Sequence, residues 1–352
     1  MRKVTVVLAL SIVLVAMIIA LQAGAVRISD EDWLYLFSVG RTHLEHAYLS
    51  SQAVGLPLDG TSYVLWYLRI PRVLLAVVVG GALGLSGALV QGLFRNPLAD
   101  TGLLGVTTGA ACAAALTIVL VSEQALALSL EARLWLLPVV SFIGAFMTCL
   151  FLNVGAKWLL SGSIAGLLLL GIALNALGVA VIGICTYLAT DEQLRSLTFW
   201  TLGSLAGATW SMVFLVGFVL MVVCLWSRRL ASRLNALTLG DTTAAHLGVV
   251  LDKLRWSISV QVAMLTGLCV AFCGVIGFVG LIAPHLARAV FGADQRTLLP
   301  VSIFFGALLM LVADTLARTV VIPAEIPVGI FTALLGGPFL VVLLRAKRQQ
   351  IG

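Results

Sequence analysis

Long uninterrupted runs of apolar residues recur along the chain, separated by shorter polar intervals. A helix rises 1.5 Å per residue, so about 20 consecutive apolar residues cross the roughly 30 Å hydrocarbon core of a bilayer. A membrane β-strand would instead show about ten residues of alternating apolar and polar positions. Because backbone polar groups find no water in the bilayer core, the runs predict membrane-spanning α-helices, each satisfying its own backbone.

Ten runs of this kind lie between residues 4 and 344. The predicted helices are Val4–Leu21, Val73–Phe94, Leu103–Val121, Leu134–Val154, Ile164–Thr186, Met212–Trp226, Trp256–Cys273, Val275–Val290, Leu298–Leu316 and Val328–Leu344. An even number of crossings puts both termini on one side of the membrane. We therefore predict an all-α polytopic membrane protein with about ten transmembrane helices.

The first run has two interpretations. Together with the preceding MRK and the following QAGAV, Val4–Leu21 imitates a secretory signal with a small-residue cleavage site. The run is longer than the roughly 7–15 residues of a signal core. We expect it to be retained as the first helix, with cleavage as the alternative.

Composition supports one membrane domain over residues 1–352. The chain is 61% hydrophobic and only 10% charged, which excludes a soluble domain of this size. Of the 21 lysines and arginines, 14 fall in the intervals on the side of the termini and 7 on the other side. This bias places both termini in the cytoplasm of a bacterial inner membrane, and it explains the net positive charge without nucleic acid.

Two features of the apolar runs concern packing. Gly80, Gly84 and Gly87 lie near one face of the second predicted helix, a spacing that lets helix backbones approach closely. The eighth predicted helix is interrupted within Gly277–Pro284, and the loop Ile322–Gly329 carries two prolines. Irregular backbone at membrane depth persists only where protein or a water-filled cavity covers it. We therefore predict that these interruptions line or brace a pathway.

The residues of an enzyme or an ATP-binding protein are missing from the sequence. None of the four lysines lies in a phosphate-binding loop, and neither an HExxH nor a G-x-S-x-G motif occurs. The six cysteines fall in or beside apolar runs without a CxxC pair, which is typical of small buried side chains. We predict no catalytic residue, no metal site and no bound cofactor.

Few ionisable residues lie where an ion-coupled carrier would need them. Asp314 is the one candidate, and its i, i+4 spacing to Arg318 favours a local salt bridge. His43 and His46 are three residues apart, but a solvated face is favoured over a metal or haem-iron site. We interpret His285 as structural. An ion-coupled secondary carrier remains an alternative that requires an essential Asp314.

The longest polar interval on the cytoplasmic side runs from Ser227 to Arg255. A transporter without its own ATP site must receive mechanical work from a partner. We predict that this interval is the contact, with His246 facing the partner.

Five stretches of the sequence, in order, resemble the permease subunit of type II ABC importers, the family that takes up iron chelates, haem and cobalamin. They are Arg69–Ala110, Leu237–Val249 (LTLGDTTAAHLGV), Gly274–Arg288 (GVIGFVGLIAPHLAR), Leu298–Arg318 and Glu325–Leu344 (EIPVGIFTALLGGPFLVVLL). The resemblance covers nearly the whole chain from Arg69 onward. It implies a permease that functions as a homodimer with two ATPase subunits and a substrate-binding protein, although a heterodimer with a related permease stays open. ATP and magnesium would be bound by the ATPase subunits.

The resemblance also implies roles for particular residues. The family's coupling segment, which docks on the ATPase, corresponds to about residues 234–250. Its matching residues are Leu239, Gly240, Asp241, Ala244, Leu247 and Gly248. Arg69, Arg72 and Arg318 match extracytoplasmic arginines that pair with acidic residues of the binding protein. Asp314 then has a second interpretation, which is to orient Arg318 for that contact.

The stretch Asp191–Trp210 (DEQLRSLTFWTLGSLAGATW) is most similar to haem permeases. It implies haem as the transported substrate, with a ferric siderophore or cobalamin as alternatives. Arg195 at the outer mouth would meet the haem propionates, and Phe199 and Trp200 would line the pathway. Equally, Arg195 could anchor a helix at the interface while the two aromatic residues belong to the aromatic belt.

Overall fold

The computed structural model describes residues 3–24, 63–121, 129–160, 164–322 and 324–351, and within these ranges it contains helices and turns but no strand. Its α-helices are α1 (Lys3–Gln22), α2 (Ile70–Phe94), α3 (Val106–Leu116), α4 (Leu130–Leu160), α5 (Ile164–Leu188), α6 (Asp191–Leu202), α7 (Trp210–Leu237), α8 (Asp241–His246), α9 (Leu251–Cys273), α10 (Val279–Phe291), α11 (Gln295–Ala317) and α12 (Val328–Ile351). A π-helical turn, Val64–Arg69, leads directly into α2. His43 and His46 lie outside the described residues.

Ten of these helices correspond to the ten predicted spans. Within the described residues, six are long and apolar enough to cross a membrane, and four shorter apolar helices accompany them. The all-α prediction is confirmed, and about ten crossings fit the structure. The two additional helices, α6 and α8, lie between spans.

Helix α2 forms the centre of the bundle and is buried along almost its whole length. It packs against α7, α9, α10 and α11. A side chain at Gly80 or Gly84 would collide with the backbone of α11 at Gly306 or Ser302. A side chain at Gly87 would collide with the carbonyl of Gly280 in α10. The glycine face is therefore a packing face, as predicted, because only glycine permits this backbone approach.

The prediction that α7 ends at Trp226 is wrong. The helix continues to Leu237, and Leu230, Ala231, Leu234 and Leu237 are buried along this extension. Their spacing follows the 3.6-residue period of a helix, while Arg228, Arg229 and Arg233 are exposed. Helix α9 likewise begins at Leu251 rather than Trp256. Most of the polar interval is thus helical. The span was predicted to end where charged residues begin, although the apolar positions continue at helical spacing beyond that point.

The chain is not helical between α9 and α10, where Phe278 adopts a left-handed conformation with φ of 67°. The C-terminal end of α6 covers this break: the Ser204 amide donates a 2.8 Å hydrogen bond to the Cys273 carbonyl. Gly274, at φ of 70°, lies so close to the Trp200 carbonyl that a side chain would not fit. Protein therefore covers the irregular backbone, while its predicted role in lining or bracing a pathway stays a prediction.

Candidate coupling and docking sites

One end of the bundle, here called the outer end, is built around the buried carboxylate of Asp314. This side chain is fully buried on α11. Arg72 Nε of α2 lies 2.9 Å from Asp314 Oδ1, and Arg318 Nε lies 3.4 Å from Oδ2. Arg72 Nη1 also pairs at 2.8 Å with Glu325, whose side chain is 47% exposed. We call Arg72, Asp314, Arg318 and Glu325 the outer cluster.

Two arginines at the outer end bind the C-terminus of α1. Arg69 Nη1 donates to the Leu21 carbonyl at 2.9 Å, and Arg318 Nη1 donates to the Ala23 carbonyl at 2.8 Å. Arg318 Nη2 also donates to the Ala20 carbonyl. The last carbonyls of a helix lack partners within the helix and carry its partial negative charge, so guanidinium groups stabilise them. These contacts attach α1 to α2 and α11.

The outer cluster brings together two of the three arginines predicted to dock a binding protein. Arg72 and Arg318 share the carboxylate of Asp314, and Arg69 lies nearby on the α1 terminus. Arg69 and Arg318 are each only 7% exposed. The predicted local salt bridge between Asp314 and Arg318 is present, but Arg72 makes the shorter contact. The docking role itself stays a prediction.

The opposite end, here called the inner end, carries the short helix α8. Gly240 and Gly248 bracket it at φ of 106° and 81°, conformations that strain any residue with a Cβ. The side chains of Leu239 and Leu247 are 64% and 62% exposed, whereas Ala244 is fully buried against the bundle. The helix thus presents two apolar side chains outward and is anchored by a third, small one.

An aspartate between two arginines also lies at the inner end. Asp241 Oδ1 is 3.0 Å from Arg95 Nη2, and Asp241 Oδ2 is 3.0 Å from Arg255 Nη2. Arg95 caps the C-terminus of α2 in a left-handed conformation, and Arg255 lies in the first turns of α9. The Asp241 side chain is 36% exposed. We call Arg95, Asp241 and Arg255 the inner cluster.

Helix α6 carries the residues predicted to line a substrate pathway. Its N-terminus has a complete capping box, in which the Thr190 hydroxyl accepts from the Gln193 amide and the Gln193 side chain accepts from the Thr190 amide. Arg195 and Phe199 are four residues apart and both exposed, so they share one helical face. Trp200 is half-buried and packs against the core. Their role in a pathway stays a prediction.

The comparison with known proteins identifies the family. The model of the FecCD transport family matches residues 11–346. The chain belongs to the FecCD transport family. Its relatives include the hemin transport system permease protein HmuU of Yersinia pestis, which is 46% identical over 297 residues, 83% of this chain and 87% of that protein. The vitamin B12 import system permease protein BtuC of Vibrio vulnificus is 38% identical over 286 residues, 79% of this chain and 81% of that protein.

A solved structure extends the likeness to three dimensions. This FecCD-family chain superposes on an inward-facing, putative metal-chelate type ABC transporter with a TM-score of 0.79 and 31% identity, covering 96% of this chain and 97% of the other. The predicted family and fold are therefore confirmed. The protein is a transport permease and not a member of an enzyme family.

Three residues of this FecCD permease were missed by sequence reasoning. Arg95 and Arg255 complete the inner cluster, and Glu325 completes the outer one. Arg95 and Asp241 are far apart in sequence and meet only because α2 and α7 end at the same level. The capping box of α6, in contrast, could have been found from the sequence, because Gln193 follows Thr190 by three positions. Within the described residues, no group of three metal-ligating side chains occurs.

Proposed function

We propose that this chain is the permease subunit of a binding-protein-dependent ABC importer that moves haem across the bacterial cytoplasmic membrane. The observation that carries the proposal is the 46% identity to a hemin transport permease over most of both chains. The vitamin B12 permeases are 38–39% identical over a similar length, which makes cobalamin the second candidate. A ferric siderophore is the third, as another cargo of this family.

ATP hydrolysis in two partner subunits drives the transport cycle. The chain has no phosphate-binding loop of its own. Helix α8, with Leu239 and Leu247 exposed on either side, has the shape of an element that inserts into a groove of the ATPase. Because Asp241 joins α8 to both α2 and α9, a push on α8 acts on the bundle as a rigid-body displacement.

A substrate-binding protein delivers haem at the outer cluster. Arg72 is the arginine best placed to meet it, since its partner Glu325 is half-exposed and can be displaced. An acidic side chain of the binding protein would then replace Glu325 on Arg72. Arg69 and Arg318 support this contact indirectly, because they hold the C-terminus of α1 in place.

The functional assembly is a homodimer with the pathway on its two-fold axis, and both termini of each subunit are cytoplasmic. The excess of lysine and arginine on the side of the termini supports this orientation. In that orientation α6 lies on the outer side, where Arg195 and Phe199 would face the entering haem.

Reconstitution in liposomes tests the substrate. The chain is combined with its ATPase and binding protein, and ATP-dependent uptake of haem, a ferric siderophore and cobalamin is measured side by side. Uptake of haem alone is expected. Uptake driven by a proton gradient without ATP would instead support the ion-coupled carrier, for which the pairing of Asp314 with two arginines is an unfavourable starting point.

A charge placed on α8 tests the coupling role. Leu247→Glu should leave the permease folded while abolishing ATPase stimulation, because a carboxylate at an apolar contact is costly to bury. Val320→Glu is the matched control, since Val320 is 58% exposed but lies at the outer end. Normal transport by Leu247→Glu would remove the basis for the docking assignment.

The outer arginines are tested by charge reversal. Arg69→Glu with Arg72→Glu should weaken binding-protein association, with the largest loss at low salt. Unchanged affinity at low salt would contradict the docking role.

A further inference from the structure

A cleft with charged residues in its walls opens at the inner end of the bundle, beside the inner cluster, which contributes Arg255 to it. It is formed by the C-terminal part of α4, the start of α5 and the start of α9, and has a volume of about 260 Å³. Its walls are Asn153, Ala156, Lys157, Leu167, Asp252, Lys253, Arg255 and Trp256. The cleft therefore combines cationic, aromatic and apolar surfaces in one place.

The charges of the cleft are unbalanced. Arg255 is already engaged by Asp241 at 3.0 Å and by Asp252 at 3.8 Å. Lys157 and Lys253 are exposed, and neither has an acidic partner in the part of the chain that the structure describes. Two ammonium groups thus remain available to an anion.

The neighbouring surface is suited to lipid. Trp256, in the cleft, is 43% exposed, and Trp158, next to Lys157, is 86% exposed. Amphipathic indole rings concentrate at the headgroup level of membranes. The helices that leave the cleft toward the membrane centre expose apolar side chains: Val154 on α4 is 61% exposed and Leu169 on α5 is 63% exposed. Acyl chains could lie along these two helices.

We propose that this cleft binds the anionic headgroup of a phospholipid, with Lys157 and Lys253 as the phosphate ligands and Trp256 at the glycerol level. The group that the cleft would recognise is a phosphodiester anion attached to apolar chains. Anionic lipids are concentrated in the cytoplasmic leaflet, where basic pockets between transmembrane helices recognise them. The placement in that leaflet rests on the proposed orientation, but headgroup binding does not depend on the transported substrate.

Lipid binding to the full-length permease in detergent is measured by native mass spectrometry, using short-chain phosphatidylglycerol, phosphatidylcholine and inorganic phosphate. The wild type should prefer phosphatidylglycerol. The double variant Lys157→Gln, Lys253→Gln should bind it on the order of 30-fold more weakly, since each lysine near a headgroup contributes about 1 kcal/mol. The control Arg228→Gln, Arg229→Gln removes two exposed charges from the inner end of α7 and should retain wild-type affinity.

Four outcomes would overturn the proposal. Equal binding of phosphatidylcholine would show that charge is not recognised, and equal weakening by the control would show a diffuse charge effect. Binding of inorganic phosphate with the same affinity as the lipid would identify a soluble anion as the ligand. Unchanged lipid affinity in the double variant would also contradict it. Should the double variant not fold, Lys253→Gln alone should still lose about fivefold in affinity.

Discussion

The two ends of the bundle use the same ionic arrangement in opposite environments. At the outer end, Asp314 lies between Arg72 and Arg318 with no exposed surface. At the inner end, Asp241 lies between Arg95 and Arg255 with 36% of its side chain exposed. A buried ion pair is weakly screened, and loss of one partner leaves an uncompensated charge, whereas a solvated pair contributes little to stability. The outer cluster is thus suited to holding helices together and the inner one to a joint that moves.

Helix α2 connects the two clusters. Arg72 lies in its first turn and Arg95 caps its last turn, and the length between them is almost entirely buried. A closely packed helix transmits displacement because its interfaces with α10 and α11 leave no room for a side-chain shift. We therefore expect changes at the two central carboxylates to differ in kind: loss of Asp314 should affect folding, and loss of Asp241 should affect coupling.

The largest effect is expected at Asp314. Asp314→Asn keeps the volume of the side chain but leaves the buried Arg318 without a carboxylate and Arg72 with Glu325 alone, so the permease should lose about 3–5 kcal/mol of stability. Thermal and denaturant unfolding in detergent measure the loss. Asp191→Asn, an exposed acid at the start of α6, is the control and should unfold like the wild type. A small loss of stability in Asp314→Asn would mean that the outer cluster does not hold the helices together.

Asp241 should show the opposite behaviour. Asp241→Asn removes two partly solvated ion pairs and should cost less than about 1 kcal/mol. Helix α8 would nevertheless lose its attachment to α2 and α9, so ATPase stimulation by the binding protein should fall several-fold. The two measurements are unfolding in detergent and the ATPase rate of the reconstituted complex. A destabilisation equal to that of Asp314→Asn would abolish the contrast between the clusters.

Salt provides a smaller test of the same contrast. Raising the ionic strength from 0.1 to 1 M shortens the screening length from about 10 Å to about 3 Å. The stability difference between wild type and Asp241→Asn should shrink toward zero, because water and ions reach the inner cluster. The difference for Asp314→Asn should persist. A parallel loss of both differences would indicate that the outer cluster is hydrated.

The smallest effect is expected at Asp294, an exposed carboxylate at the inner end. The Asn235 side-chain amide and the Arg296 backbone N–H each donate a hydrogen bond to Asp294 Oδ1. These two bonds lower the pKa of Asp294 below its usual value. The stabilisation is therefore present above the pKa of the unfolded chain and is lost as the pH falls through the lower pKa of the folded protein. Asp294→Asn should unfold slightly earlier than wild type near neutral pH, and the two should converge in acid. If the stabilities of the two proteins did not converge in acid, the difference would come from the N-cap geometry and not from the charge of Asp294.

Sequence reasoning succeeded where periodicity is local. The long apolar runs predicted ten helices, and the glycine spacing in the second run predicted the close packing of Gly80 and Gly84 on α11. It failed on the extension of α7, where Arg228, Arg229 and Arg233, interleaved with the buried Leu230 and Leu234, disguised a regular helix. It also left α6 unassigned although Thr190 and Gln193 signalled its start.

By itself, the sequence determined the all-α membrane class, the positions of the apolar helices, the family and the position of α8, because each of these follows from local composition or from an ordered motif. Only the tertiary structure decided that Asp314 and Asp241 are both held by two arginines, and that one is buried and the other is not. Those contacts join residues as far apart as Arg72 and Asp314, and no local pattern specifies which helix ends meet. Burial then decides whether the same ion pair fixes a structure or permits it to move, and burial is a property of the packed bundle alone.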